Sequence, residues 1–304
     1  MIPARHFLDL DDATRAEIEK LIARALDHKR GIAGAERLLH GRLVIGMFFE
    51  ASTRTSLSFQ ASCMRLGAHW LDFNVGSSSL AKGESIEDTM RTVRAIGVDA
   101  IVVRHNESGM PHELARFFAG SVINAGDGRH AHPTQGVLDA LTLIEEFGSL
   151  DGRHLVIAGD VRHSRVARSS GRAAWLLGAK VTLCAPPQLL PPAAPGWGFA
   201  ELSTDLDAVI ASADAVMLLR IQKERDDGGE LPPASELATG FGLDERRMQA
   251  LAPHAIVMHP GPVNRGIEIA AACVTHDRSR IEHQVRNGVF ARMAILEACL
   301  AGNA

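Results

Sequence analysis

Short apolar runs alternate along the whole chain with segments whose apolar residues recur at helical spacing. Ile18, Leu21, Ile22, Ala25 and Leu26 share one helical face, with Asp11 or Asp12 as the expected cap. The run from Leu43 to Phe49 suits a parallel strand buried on both faces, and Ser52 to Leu66 a helix after it. Trp70 to Val75 is a further candidate strand, and Ser85 with Asp88 resembles a capping box that opens a helix through Met90, Val93 and Ile96. A strand at Ala100–Val103, a helix at Pro111–Phe118, a strand at Val122–Asn124 and a helix at Thr134–Phe147 complete the first half. After the polar, turn-rich stretch Gly148–Arg153 the pattern restarts. It predicts strands at His154–Gly159, Val181–Cys184, Ala215–Leu219 and Ala255–Met258, and helices at Ser164–Leu177, Leu206–Ala211, Asp244–Leu251 and Ser279–Leu300. Pro186–Pro195 is a proline-rich loop, and Arg220–Gly240, charged and glycine-rich, is expected to be a long mobile one.

Alternation of this kind in both halves predicts an α/β protein of two doubly wound parallel-sheet domains with an active-site cleft between them. The expected bounds are 1–148 and 149–278, with the closing helix, about 279–304, packing back on the first domain. A length of 304 residues fits two domains, at roughly 100–200 residues each.

Composition narrows the function. Hydrophobic residues make up 46% and charged residues 22%, as in a globular protein with well-filled cores, and the formal net charge of −4 offers nothing to a nucleic acid or an anionic membrane. No apolar run reaches the ~18 residues of a spanning helix, and the first residues lack the apolar core of a signal peptide. A cytoplasmic protein is therefore expected. Cys63, Cys184, Cys273 and Cys299 stand far apart with no CxxC pair, which argues for reduced, structural thiols over a disulfide framework or a zinc knuckle. There is no tyrosine, so no catalytic role falls to a phenol.

In open α/β sheets ligands bind beyond the carboxyl ends of the strands, and there this chain places its arginines. Phe49 leads into Glu50-Ala51-Ser52-Thr53-Arg54-Thr55, Val103 into Arg104-His105, Gly159 into Asp160-Val161-Arg162-His163-Ser164-Arg165, and Leu219 into Arg220-Ile221-Gln222. Ser52 to Thr55 stands between a strand and a helix, where free backbone N–H groups, hydroxyls and a guanidinium suit an anion such as phosphate. The competing account is an ordinary Ser/Thr cap beside a surface arginine. Neither GxxxxGK[ST] nor GxGxxG follows a leading strand, which disfavours a nucleotide or dinucleotide cofactor. His130 and His132 have no third ligand near them in sequence. A neutral His132 hydrogen-bonded to a carbonyl or phosphoryl oxygen is favoured over a metal, and neither metal nor cofactor is expected. His163 carries the same ambiguity. Arg162, Arg168 and Arg172 are assigned to helix surface.

The run Phe48-Phe49-Glu50-Ala51-Ser52-Thr53-Arg54-Thr55 and the run His132-Pro133-Thr134-Gln135 resemble two motifs of the aspartate/ornithine transcarbamoylase family, and the likeness continues in order to about Met293. Ser79–Glu84, Gly159–Arg165, Leu219–Arg225 and His259–Gly266 look like the aspartate-specific branch. The ornithine-specific branch carries His-Cys-Leu-Pro where this chain has His259-Pro260-Gly261-Pro262. One departure is Ser56, where a basic residue is common.

The resemblance implies transfer of a carbamoyl group from carbamoyl phosphate to L-aspartate, the committed step of pyrimidine biosynthesis. It implies that Ser52, Thr53, Arg54 and Thr55 hold the phosphate. Arg104, His132 and Thr55 would bind the carbonyl oxygen, Gln135 the carbamoyl amide, and Gly261-Pro262 would complete that pocket. Arg165 and Arg220 would hold the two aspartate carboxylates, with Gln222 beside Arg220, and Lys82 would also take part in binding L-aspartate. Lys82 and a serine of Ser77–Ser79, Ser79 by its spacing, resemble a loop lent to a neighbouring subunit, which implies a homotrimer with shared sites. Further assembly with a regulatory or dihydroorotase-like chain is known among relatives. The rival readings are a transcarbamoylase with another amine acceptor, a non-catalytic anion-binding subunit, and a dinucleotide dehydrogenase.

Overall fold

In the computed structural model, residues 6–32, 34–191, 196–222 and 231–301 are described. The chain divides into two units: residues up to Leu141 together with those from Val285 onward, and Thr142–Gln284.

The first unit runs β1 (His6–Phe7), α1 (Arg15–Arg30), β2 (Leu43–Phe48), α2 (Thr53–Leu66), β3 (His69–Phe73), α3 (Ile86–Ala95), β4 (Ala100–His105), α4 (Met110–Phe117), β5 (Ser121–Asp127) and the start of α5 (Pro133–Phe147). Its five strands are parallel, in the order β1-β5-β4-β2-β3. The central strands β4 and β5 are buried almost throughout, whereas the edge strand β3 has only exposed and half-buried positions. That is the pattern of a parallel sheet covered on both faces at its middle. Ile45, Met47, Met90, Val93, Ile101, Val103 and Leu114 form the core between the sheet and the helices α3 and α4. Each large aliphatic side chain so buried contributes roughly 1.5–3 kcal/mol.

The helix α1 starts later than the aspartates suggest. Thr14, not Asp11 or Asp12, is its N-cap: Glu17 N–H donates to Thr14 Oγ1 at 3.3 Å and Thr14 N–H to Glu17 Oε2 at 2.9 Å. A reciprocal cap of this kind satisfies two backbone donors at once, which a lone aspartate further upstream does not.

The second unit runs β6 (His154–Ala158), α6 (Arg165–Leu176), β7 (Lys180–Cys184), β8 (Glu201–Ser203), α7 (Leu206–Ile210), β9 (Ala215–Leu218), α8 (Ala234–Phe241), α9 (Glu245–Ala250), β10 (Ile256–Met258), α10 (Ala271–Val274) and the start of α11 (Ile281–Leu300). Its strands are also parallel, in the order β10-β9-β6-β7-β8. Val156, Ala158, Leu206, Ile210, Val216, Leu218, Met248, Val257 and Ile269 make its core. From Val285 onward α11 belongs to the first unit, where Ser62 Oγ donates to Val289 O at 2.8 Å and Ser121 Oγ to Cys299 O at 2.9 Å.

The segment expected to be one long loop, Arg220–Gly240, contains most of α8. Residues 192–195 and 223–230 lie outside the described residues, and with them Lys223, Glu224 and Arg225. Among the described residues no helix is long and apolar enough to cross a membrane. All four cysteines are free and buried.

Candidate active site

In the first sheet, the order of strand addition reverses between β2 and β4, because β3 extends one side of β2 and β4 the other. Ligand sites in open parallel sheets form at such a switch point. The exit of β2 is Ser52, the N-cap of α2, and its side chain makes no capping hydrogen bond. The first backbone bond of the helix is Ser56 N–H to Ser52 O at 3.1 Å. The amides of Thr53, Arg54 and Thr55 thus precede the regular ladder, and no acidic residue occupies the first turn. Thr53 and Arg54 are exposed and Thr55 is buried. An uncompensated helix N-terminus with hydroxyls and a guanidinium around it is suited to an anion.

Arg104 is the penultimate residue of β4. It pairs with Phe48 across the sheet, and its carbonyl accepts from Phe49 N–H at 2.8 Å. The register of β4 against β5 slips between Val103 and His105, a bulge of the kind that re-aims a side chain near a site. Arg104 Nη1 donates to Ala125 O at 3.3 Å, and Nη2 lies 3.2 Å from Glu50 Oε2. Next to it, burial pulls the His105 imidazole below its ordinary pKa, and its Nδ1 accepts from Glu107 N–H at 2.9 Å.

His132 directly precedes α5, its carbonyl accepting from Gly136 N–H at 3.2 Å, and Pro133 opens the helix, where a missing N–H costs nothing. His132 and Gln135 are both buried. His132 Nδ1 lies 3.4 Å from Thr134 Oγ1, whereas His130 Nδ1 faces Asp127 Oδ2 at 3.0 Å. The two imidazoles therefore have different partners. Burial raises the Asp127 carboxyl, but hydrogen bonds from His130, Gly109 N–H and Asn124 outweigh it and hold the pKa below the usual value. Among the described residues no three His, Cys, Asp or Glu side chains are grouped to hold a metal ion.

The serine loop follows the edge strand β3. Ser77 Oγ donates to Asn74 O at 3.5 Å and Ser78 Oγ to Val75 O at 2.7 Å, both back into their own turn. Ser79 and Lys82 bound a short 3₁₀ turn and are exposed.

In the second unit the order reverses between β6 and β9, and the candidate residues gather at that point too. Arg165 opens α6 and is buried, at 3% exposure, behind the Ser164 cap that accepts from Ala167 N–H at 3.2 Å. A cation at the positive end of a helix is unfavourable for the helix itself. Gly159, at φ 121°, lets the β6 exit pass close to β9; a Cβ there would lie 2.9 Å from Leu219 O. Asp160, fully buried, ties the two exits together: Oδ1 lies 2.8 Å from His163 Nδ1, and Oδ2 accepts from Gln222 N–H at 3.2 Å. Gln222 Nε2 in turn donates to His163 O at 3.3 Å. Arg220, half-buried, is held two residues from that anchor.

After β10, His259 Nδ1 accepts from Gly261 N–H at 2.8 Å, which leaves Nε2 to donate to Glu268 Oε1 at 3.2 Å. This pair fixes the turn that carries Gly261 and Pro262, joined by a cis peptide bond.

Residue spacing alone does not indicate Glu50, Asp139, Asp160 or Glu268, the carboxylates that position the candidate groups. Asp139 lies one helical turn beyond Gln135, whose Nε2 donates to its Oδ1 at 3.0 Å.

Two five-stranded parallel sheets, each with arginines and polar groups near its switch point, define a two-unit α/β protein. Residues 5–145 match the family model of the aspartate/ornithine carbamoyltransferase carbamoyl-P binding domain, and 151–299 that of the Asp/Orn binding domain. The chain belongs to the aspartate/ornithine carbamoyltransferase family. It is 50% identical to an aspartate carbamoyltransferase catalytic subunit of Nocardioides sp., over 98% of this chain and 95% of that one. It is 48% identical to the one from Myxococcus xanthus, over 98% and 100%. Among solved structures, aspartate transcarbamoylase from Trypanosoma cruzi in complex with N-(phosphonacetyl)-L-aspartic acid matches at a TM-score of 0.89 and 32% identity, over 98% of this chain and 96% of that one. The same enzyme with carbamoyl phosphate and aspartate matches at 0.89 and 31%, over 98% and 97%.

Proposed function

We propose that this chain is an aspartate carbamoyltransferase, converting carbamoyl phosphate and L-aspartate into N-carbamoyl-L-aspartate and phosphate at the committed step of pyrimidine biosynthesis. The observation that carries this reading is that each unit has its own cluster of anion-binding groups at the switch point of its sheet. One is the uncapped start of α2 with Arg54 and Arg104. The other is the Asp160-anchored exit that presents Arg165, Arg220 and Gln222.

The α-amine of aspartate attacks the carbamoyl carbon, the C–O bond to phosphate breaks, and the departing phosphate takes up the amine proton. Negative charge grows on the carbonyl oxygen, where Arg104, His132 and Thr55 donate hydrogen bonds. Preorganised donors of this kind are usually the largest single contribution to such a reaction. Ser52, Thr53 and Arg54, with the free amides of α2, hold the leaving phosphate. Gln135 and the Gly261-Pro262 turn bind the carbamoyl amino group. Arg165 and Arg220 bind the two carboxylates, with Gln222 beside Arg220. Two guanidiniums favour an acidic acceptor over ornithine, whose side chain is a cation. Holding two small anions together accounts for much of the remaining acceleration.

Ser79 and Lys82 serve the site of a neighbouring copy in a homotrimer. Support comes from their position beyond an edge strand, exposed on a short turn. The enzyme works in the cytoplasm, in keeping with four free thiols.

The test is phosphate release from carbamoyl phosphate with L-aspartate, with L-ornithine and with neither. Release is expected with aspartate alone, falling by about 10²–10³ in Arg54→Ala. Release with ornithine instead would overturn the acceptor assignment at Arg165 and Arg220, and release with neither amine would overturn the reaction.

A further inference from the structure

Gln135 sits at the end of a buried polar chain that the reaction scheme leaves unused. Its Nε2 donates to Asp139 Oδ1 at 3.0 Å, one turn along α5, and Asp139 has no exposed surface. Arg292 of α11, also buried, is attracted electrostatically to Asp139. Its Nη1 donates to Ser58 Oγ at 2.8 Å, and its guanidinium lies 5.1 Å from the centroid of the Phe59 ring. Burial pulls the Arg292 pKa down to about 10, which still leaves a cation beside the Asp139 carboxylate at neutral pH.

An ionised carboxylate only accepts hydrogen bonds. It therefore decides which end of the Gln135 amide turns towards it. The two orientations of a glutamine amide have nearly the same shape, so packing alone does not choose between them. With NH₂ committed to Asp139, the oxygen Oε1 is the end left to face a ligand.

We propose that Asp139 is a positioning residue that sets donor specificity, holding Gln135 with its oxygen outward to accept from the carbamoyl amino group. The proposal rests on the function assigned above. Acetyl phosphate has a methyl group where carbamoyl phosphate has NH₂. It offers that oxygen no proton and leaves a desolvated acceptor unpaired, the situation in which a polar site discriminates most strongly. Arg292 supports the carboxylate from behind and touches no substrate.

The test compares kcat/KM for carbamoyl phosphate and acetyl phosphate by phosphate release with L-aspartate, in the wild type and in Asp139→Asn. Asparagine keeps the shape but accommodates either orientation of Gln135. The expected result is a loss of about tenfold or more with carbamoyl phosphate and a change within about twofold with acetyl phosphate, so the preference narrows. The double variant Gln135→Glu with Asp139→Asn restores one buried negative charge, one internal hydrogen bond and an outward acceptor. It is expected to regain preference for carbamoyl phosphate, and it stands alone as the test should the single variant not fold. A parallel fall with both donors would reduce Asp139 to a counter-charge for Arg292 and overturn the proposal, as would an unchanged ratio or a double variant without preference. Failure of the assigned function is separable, because it appears in the wild type as no aspartate-dependent release, before any substitution is made.

Discussion

Replacing Asp160 with asparagine changes the hydrogen bonding of a fully buried position while hardly changing its size. In the wild type one carboxylate accepts from His163 Nδ1 at 2.8 Å and from Gln222 N–H at 3.2 Å, with a longer contact from His163 N–H at 3.4 Å. Asparagine has one oxygen for these donors, and its NH₂ must face one of them. One buried donor then loses its acceptor, at a cost of roughly 1–3 kcal/mol. The Gln222 side is the weaker partner by distance and gives way, releasing the segment that carries Arg220 and Gln222.

If aspartate binding must first restore that segment, about 2 kcal/mol converts to roughly a thirtyfold rise in the apparent dissociation constant for aspartate. Carbamoyl phosphate, whose proposed ligands lie on the other unit except for the Gly261-Pro262 turn that His259 and Glu268 hold, should change by no more than about threefold. Initial rates with each substrate varied in turn measure both, and urea unfolding should show a loss of about 2 kcal/mol. An aspartate KM that stays constant while stability falls would refute the tether. So would equal rises for both substrates.

Ser79→Ala should reduce phosphate release far more than Ser77→Ala or Ser78→Ala, whose hydroxyls are committed to Asn74 O and Val75 O; equal effects from all three would exclude a ligand role specific to Ser79. Glu297 gives a pH-dependent case: burial raises its carboxyl, but bonds from His28 and Arg24 outweigh that and bring the pKa from 4.5 to about 2. Because the folded value is depressed, the stabilisation is complete above the unfolded pKa and fades as pH falls towards the folded one. Glu297→Gln should therefore cost about 3 kcal/mol at neutral pH and roughly half of that near pH 3 in urea titrations, and a cost independent of pH would contradict the assignment.

The parts of the fold legible in the sequence are those whose burial is continuous. The strands β2, β4, β5 and β6 are apolar runs because both faces of a central parallel strand are covered, and their ends fall within a few residues of the pattern. The edge strand β8, Glu201-Leu202-Ser203, has two exposed residues and leaves no apolar run to find, and β1 spans only His6–Phe7. The helix α8 is hidden by Pro232-Pro233 before it and Gly240 within it. At the site, arginines that directly follow strands can be read from the chain. Their anchors cannot, because Asp160 meets Gln222 and Arg292 meets Ser58 only through the tertiary fold.

The helix termini explain why so acidic a chain can hold anions. Among the described helices of eight residues or more, α1, α3, α4, α8 and α11 place Glu or Asp in the first turn, where the carboxylate offsets the positive end of the helix dipole. The three that do not are α2, α5 and α6. These follow β2, β5 and β6, the exits that carry Ser52 to Thr55, His132 with Gln135, and Arg165. Two of them even carry an arginine at the second or first helical position, Arg54 or Arg165, which opposes the dipole. An acidic residue in each first turn would favour the helix by ~0.3–1 kcal/mol. It would also repel phosphate or carboxylate from the groups placed to receive them. On the proposed site assignment, the omission of stabilising charge at these three termini, in a chain with more acids than bases, leaves those positions to the anionic substrates themselves.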